Sequence, residues 1–286
     1  MQQKYKIWLL RTPLHGVIII ISMIWILPTT GLLITSLRPP SEVAHTGWWT
    51  IFQTPFTFTQ FTLENYRVVL SNQGLGRAFF NSIVIAIPAT LFPVFIAGFA
   101  AFAFAKMVFP GRDSLFMVIV GLLVVPLQMT FIPILRLFNI VDLSGTFVGI
   151  WIAHTGYGLP LTIYLLHNYI IGLPNDIFDS ATVDGASTWQ IFFKILIPLS
   201  LPAIASVVIF QFLWVWNDLL VALIFLGGAP DVAPLTLKVA SMVGARGQNW
   251  EILTAAAFIS MILPLFVFLS MQRYFVRGIL AGSIKG

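Results

Sequence analysis

The sequence predicts an all-α membrane protein with six transmembrane helices. Three observations predict it. The mean hydropathy is +0.95. Hydrophobic residues make up 58% of the chain and charged residues only 9%. The apolar residues gather in six runs, at 17–37, 79–105, 115–137, 146–166, 197–226 and 254–276, each near the ~20 residues that cross a hydrocarbon core about 30 Å thick. A soluble domain could not bury so much apolar surface, so the bilayer is the solvent. There are no cysteines, which excludes disulfides, thiolate metal sites and thiol nucleophiles.

The first run follows Lys4, Lys6 and Arg11, as a signal peptide would. It continues past Pro28 to Leu37 with no small-x-small cleavage pattern, so it reads as a retained span. With the N-terminus inside, the inner segments hold Lys4, Lys6, Arg11, Lys106, Arg112, Lys194, Arg273, Arg277 and Lys285. The outer ones hold Arg38, Arg67, Arg77, Lys238 and Arg246, with Arg136 at an outer span end. That excess places both termini in the cytoplasm. The expected organisation is a cytoplasmic N-terminus (1–16), a six-span domain (17–276) with an inner loop at 167–196, and a cytoplasmic tail (277–286).

The outer loop, 38–78, carries "TGWWTIFQTPFTFTQFTLENY", whose aromatic rings suit the membrane interface. The second run holds Ala97, Gly98, Ala100, Ala101, Ala103 and Ala105, small residues that let helix backbones approach closely. In the third, "VVPLQM" predicts a kink at Pro126. Gln128 beside it reads as packing. His154 in the fourth run has no acid or histidine at metal-ligand spacing, so a hydrogen-bonded structural histidine is expected. His15, His45 and His167 read as loop or interface residues. In the fifth run Asn217 and Asp218 interrupt "WVWNDLLVAL". A carboxylate at mid-bilayer costs about 2.5–3.5 kcal/mol on insertion scales, so it faces the protein or water. It reads as pathway lining or as an interhelical hydrogen bond. Trp214 and Trp216 have the shape to stack on sugar rings, but an interface belt or helix packing is the better account of each.

One polar stretch stands apart. "GLPNDIFDSATVDG" reads as a short helix, with Asn175 as N-cap, Asp176 and Asp179 near the positive end of its dipole, and Gly185 as a left-handed stop. "ASTWQIFFKILI" restarts a helix that runs to Pro198, where the fifth span is expected to begin. On pattern alone this elbow fits either an ordinary interfacial loop or a segment that docks into a partner.

Its residues resemble the "EAA" loop of ABC-importer permeases: EAA, three residues, Gly, nine residues, Ile-x-Leu-Pro. Here Asp179-Ser180-Ala181, three residues, Gly185, nine residues and Ile195-Leu196-Ile197-Pro198 keep that spacing. Asp184-Gly185-Ala186 is similar to the common DGA core. "RAFFNSIVIAIPAT", "VVPLQMTFIPILRLF", "FLWVWNDLLVALIFL" and "RYFVRGILAGSIKG" also resemble the MalG-like permeases of carbohydrate importers, from about residue 60 onwards. The resemblance implies a type I importer transmembrane domain with the elbow as coupling helix. It implies a related second permease subunit, two ATPase subunits that bind ATP and Mg, and an extracytoplasmic substrate-binding protein. It implies sugar or glycoside transport, with Gln128, Trp214, Asn217 and Asp218 as candidate pathway residues. It also implies that Gly282, Ser283, Lys285 and Gly286 touch the ATPase. No P-loop, H-E-x-x-H or G-x-S-x-G is present, so no catalytic residue, metal or cofactor is expected in this subunit. The rival reading is an ion-coupled secondary transporter, for which buried ionisable residues are scarce.

Overall fold

The computed structural model describes the backbone of residues 2–53, 57–71, 74–242 and 249–283, and the side chains of residues 12–272 among these except Phe58. Every regular element there is helical. In chain order they are α1 (Gln2–Ser36), α2 (Pro40–His45), α3 (Glu64–Ser71), α4 (Leu75–Lys106), α5 (Arg112–Gly121), α6 (Leu127–Ile140), α7 (Phe147–Ile171), α8 (Asn175–Val183), α9 (Thr188–Ile191), α10 (Ile197–Trp216), α11 (Leu220–Leu226), α12 (Leu235–Met242) and α13 (Trp250–Ser283). The chain divides into two compact units, Met1–Gly76 with Val239–Ser260, and Arg77–Lys238 with Met261–Gly286.

In the first unit, α1 runs unbroken through the expected boundary at residue 17 and past Pro28. The outer loop folds around one buried cation. Arg38 is 2% exposed and donates to the carbonyls of Thr46 and Gly47, while Asn65 Nδ2 donates to the carbonyls of Ser36 and Arg38. Carbonyl partners of this kind offset the cost of burying a guanidinium. Trp48 packs on α1 where Gly31 leaves room: a Cβ there would stand 2.8 Å from the indole. Trp49 and Phe52 stay exposed, as the interface reading of this loop expects.

In the second unit the small residues of α4 do pack closely: Ala97 and Ala101 are 0% exposed. α10 packs along α7. Gln211 of α10 donates to the Ala89 carbonyl of α4, and Gly158 of α7 clears the Gln211 amide, which a Cβ would meet at 2.5 Å.

Two expected spans take a different form. The run 115–137 is two helices, not a kinked one, and they meet at 103°. Val125 is extended (ψ 117) and Pro126 caps α6, because proline drives the preceding residue out of the helical region. The run 197–226 ends its helix at Trp216 and resumes at Leu220. It also begins earlier than Pro198, since one helical stretch covers Thr188–Trp216. Proline removes one ladder bond and crowds the carbonyl four residues back. The chain answers with a π-helical turn at Phe192–Leu196 rather than a break. By length and composition, four helical stretches among the described residues can cross a membrane, or five if the bent α5–α6 pair counts as one. α7 has 25 residues but falls outside that set, because His154, Thr155, Gly156, Tyr157 and Gly158 dilute its middle.

Candidate functional site: the elbow from Asn175 to Pro198

α8 begins one residue earlier than its sequence suggests. Pro174 is the N-cap and Asn175 the first helical residue, and no side chain caps the turn. Asn175 is engaged elsewhere: its Oδ1 accepts from Lys106 Nζ at 2.7 Å. Phe178 points inward at 6% exposure, into a core shared with Phe102, Leu166, Ile191 and Phe192. Thus one aromatic side chain roots a helix whose other faces are polar or exposed.

The stop is a Schellman motif. The N–H of Gly185 donates to the Thr182 carbonyl (3.0 Å) and the N–H of Ala186 to the Ala181 carbonyl (2.9 Å). Ala181 and Ala186 both pack against the core, supplying the apolar contact that accompanies this motif. Gly185 has φ +80, and no atom lies within 4 Å of where a Cβ would stand. Glycine is therefore required here by backbone conformation, not by crowding. The next helix starts at once with a capping box: Gln190 N–H donates to Ser187 Oγ, and Ser187 N–H donates to Gln190 Oε1. Two helix ends with only two residues, Gly185 and Ala186, between their caps leave the elbow little freedom.

The candidate coupling residues divide by exposure. Asp179, Ser180, Asp184, Gly185 and Pro198 are exposed, whereas Ala181, Ala186 and Ile195 are half-buried. Asp184, Gly185, Ala186, Gln190, Lys194 and Ile195 line an open depression of about 300 Å³. Val183 (87% exposed) and Trp189 (65%) project beside it. An exposed surface with large apolar side chains and a polar surround is the pattern of a protein contact.

The candidate pathway residues do not form one constellation. Gln128 is exposed in the first turn of α6, and Asn217 is exposed at the end of α10, where its amide donates to the Leu213 carbonyl. Asp218 is a helix cap. Its carboxylate accepts from the N–H groups of Val221 (3.3 Å) and Ala222 (2.9 Å), and its carbonyl accepts from Thr236 Oγ1. The void that it lines with His154 and Trp216 holds about 10 Å³, room for no more than a water molecule. In this arrangement the Asp218 carboxylate holds the first turn of α11. His154 is 1% exposed, edge-on to Trp214 and 3.8 Å from the Asp218 carboxylate. That is beyond hydrogen-bond reach, so packing, not the expected hydrogen bond, holds the ring. Among the described residues no three His, Asp or Glu side chains gather to hold a metal. Of the tail candidates, Gly282 and Ser283 continue the backbone of α13, and Lys285 and Gly286 lie outside the described residues.

Residues 94–281, which include the whole elbow, match the family described as binding-protein-dependent transport system inner membrane component. The chain belongs to this family. It is a transmembrane ABC transporter permease subunit, not a catalytic one. It is 59% identical to the osmoprotective compounds uptake permease protein GgtD of Synechocystis sp., across 99% of this chain and 95% of that one. It is 43% identical to the alpha-glucoside transport system permease protein AglG of Rhizobium meliloti, across 96% and 98%. Its fold is similar to a chain of a bacterial ABC transporter involved in import of the acidic polysaccharide alginate, with TM-score 0.75 at 19% identity over 96% of this chain and 98% of that one.

Sequence reading missed Lys106 and Phe178 as parts of the elbow. Lys106 ends an apolar run and was absorbed into the charge bias. Phe178 is one aromatic among 26 phenylalanines, and only its place on the inner side of α8 separates it from the rest.

Proposed function

We propose that this permease forms half of the translocation path of an ATP-driven sugar, glycoside or related osmolyte importer. Its elbow is the piece that a cytoplasmic ATPase grips. The observation that carries this reading is the elbow itself: a short helix rooted by Phe178, stopped by Gly185 at φ +80, and exposed at Asp179, Ser180 and Asp184. The names of the relatives, one for osmoprotective compounds and one for alpha-glucosides, support the substrate class. The assembly has a related second permease, two ATPase subunits that carry ATP and Mg, and an extracytoplasmic binding protein.

Six spans follow if α7 and the bent α5–α6 pair each cross the membrane, α7 shielding its polar residues inside the protein. Both termini and the 167–196 loop are then cytoplasmic. Reporter fusions after Gly286 and within that loop check the topology, and an external signal from either overturns it. Uptake of a radiolabelled α-glucoside by intact cells checks the energy source. It fails on ATP depletion and survives collapse of the ion gradients; the opposite pattern makes the protein an ion-coupled secondary transporter.

A further inference from the structure

The elbow is held at both ends by α4. Phe99, Phe102 and Lys106 recur at helical spacing, three and four residues apart, on one side of α4. Phe99 stacks on Phe192 in the π-helical turn with centroids 4.4 Å apart and planes 14° apart, and Phe102 lies 5.6 Å from the same ring. Phe99 also meets Trp189 of α9 edge-on at 5.8 Å. One turn further along, Lys106 Nζ donates to the Leu173 carbonyl (2.9 Å) and to Asn175 Oδ1 (2.7 Å), and sits 4.6 Å from the centre of the Phe178 ring. The Asp179 carboxylate attracts it as well.

The lysine thus binds the last residues before α8, the first residue of α8 and the aromatic side chain that roots α8. An ammonium has three donors and prefers water unless they are used. Two of them here are spent on the entry to the elbow and none on a surface ion pair, which would be the default for a lysine at a helix end. A cation at a helix C-terminus also suits the helix dipole, but that accounts for its position and not for its partners.

We propose that Lys106 is a positioning residue for coupling: it ties the entry of the elbow to α4, so that elbow movement is passed into α4 as well as directly into α10. This rests on the elbow being the coupling device. The partner it recognises is internal, a carbonyl and an amide oxygen, and its loss leaves the exposed docking face unchanged.

The test uses the intact transporter complex in lipid nanodiscs. The chain has no cysteine of its own, so spin labels can be placed at Val108→Cys, on exposed chain just past α4, and at Ile177→Cys, an exposed position on α8 away from the depression at Asp184–Ile195. Pulsed electron resonance reads the distance between them, before and after trapping with ATP and vanadate. With Lys106 present, the distribution is narrow and stays in place on trapping, because the two sites move as one body. With Lys106→Met it broadens and shifts on trapping, and Lys106→Arg, which keeps the donors, restores it. ATPase retention on purification is unchanged in all three. Asn175→Ala, which removes one acceptor and leaves the lysine, gives a smaller shift in the same direction. Identical distributions for wild type and Lys106→Met overturn the proposal. So does a wild-type distance that itself shifts on trapping, or loss of the ATPase from Lys106→Met at normal membrane levels, which would make the lysine a docking residue. Gly185→Val run in parallel tests the elbow separately. If that variant keeps ATPase and coupled hydrolysis, the coupling reading fails whatever the labels show.

Discussion

The polypeptide from Gly172 to Leu226 is interrupted twice, and the two interruptions are built differently. The first, at Asp184–Ser187, is a Schellman stop followed by a capping box, with its polar residues turned outward. The second, at Asn217–Leu219, is closed by one carboxylate that folds inward onto the first turn of α11. The first tolerates exposure because water or a partner satisfies its side chains. The second lies in an apolar stretch, where the freed amides of a new helix must find an acceptor within the protein. An exposed interruption can be polar throughout; one in an apolar run turns a carboxylate inward to meet the freed amides.

The comparison breaks most visibly at Asp218. Asp218→Leu leaves buried amides unpaired and should lower stability by about 2 kcal/mol, the usual cost of an orphaned donor. Asp218→Asn keeps an acceptor and should lose roughly half as much. Thermal unfolding of the purified complex measures both. If Asp218→Asn keeps full stability yet abolishes transport, the carboxylate is part of the pathway and the two interruptions are more alike than their geometry indicates.

At the elbow, Asp179→Lys should have an intermediate effect. It replaces a carboxylate that attracts Lys106 with a cation that repels the lysine from its seat. Partial loss of ATPase on purification, restored in Asp179→Glu, is expected. Full retention with normal uptake would remove Asp179 from the contact.

The smallest expected effect is at Ser187. Ser187→Ala removes half of the capping box and should cost about 1 kcal/mol, seen as faster amide exchange at Gln190 with ATPase binding intact. An effect as large as that at Asp218 would show that the elbow's second helix is less secured by its aromatic contacts than Phe192 and Phe99 imply.

The same contrast explains what was legible beforehand. The elbow could be read because acidic residues are rare enough in this chain to stand out, 10 in 286, and their spacing with Gly185 and Pro198 matches a known pattern. Gly185 took the expected positive φ. The break at Asn217 was hidden because hydropathy averages across two polar residues in an oily run. Pro198 misled in the other direction: it marks the start of a span by rule, yet the π turn at Phe192–Leu196 absorbs it. Pro126 was expected to bend a helix and instead separates two, since no sequence rule says how far a proline turns the chain. Lys106 and His154 carry contacts with residues 69 and 64 positions away, Asn175 and Asp218, and no local pattern reports those.

The most direct measurement of the central claim is ATPase retention by Gly185 variants. Gly185→Val forces a β-branched residue to φ +80, where L-residues pay roughly 1–2 kcal/mol and branched ones more. Gly185→Asn keeps access to that conformation. With open space around the missing Cβ, any difference between the two arises from backbone conformation. The account predicts that membrane levels are equal, that the valine variant purifies without its ATPase, and that the asparagine variant retains it. A valine variant that retains the ATPase with coupled hydrolysis contradicts the account and returns the elbow to an ordinary interfacial loop.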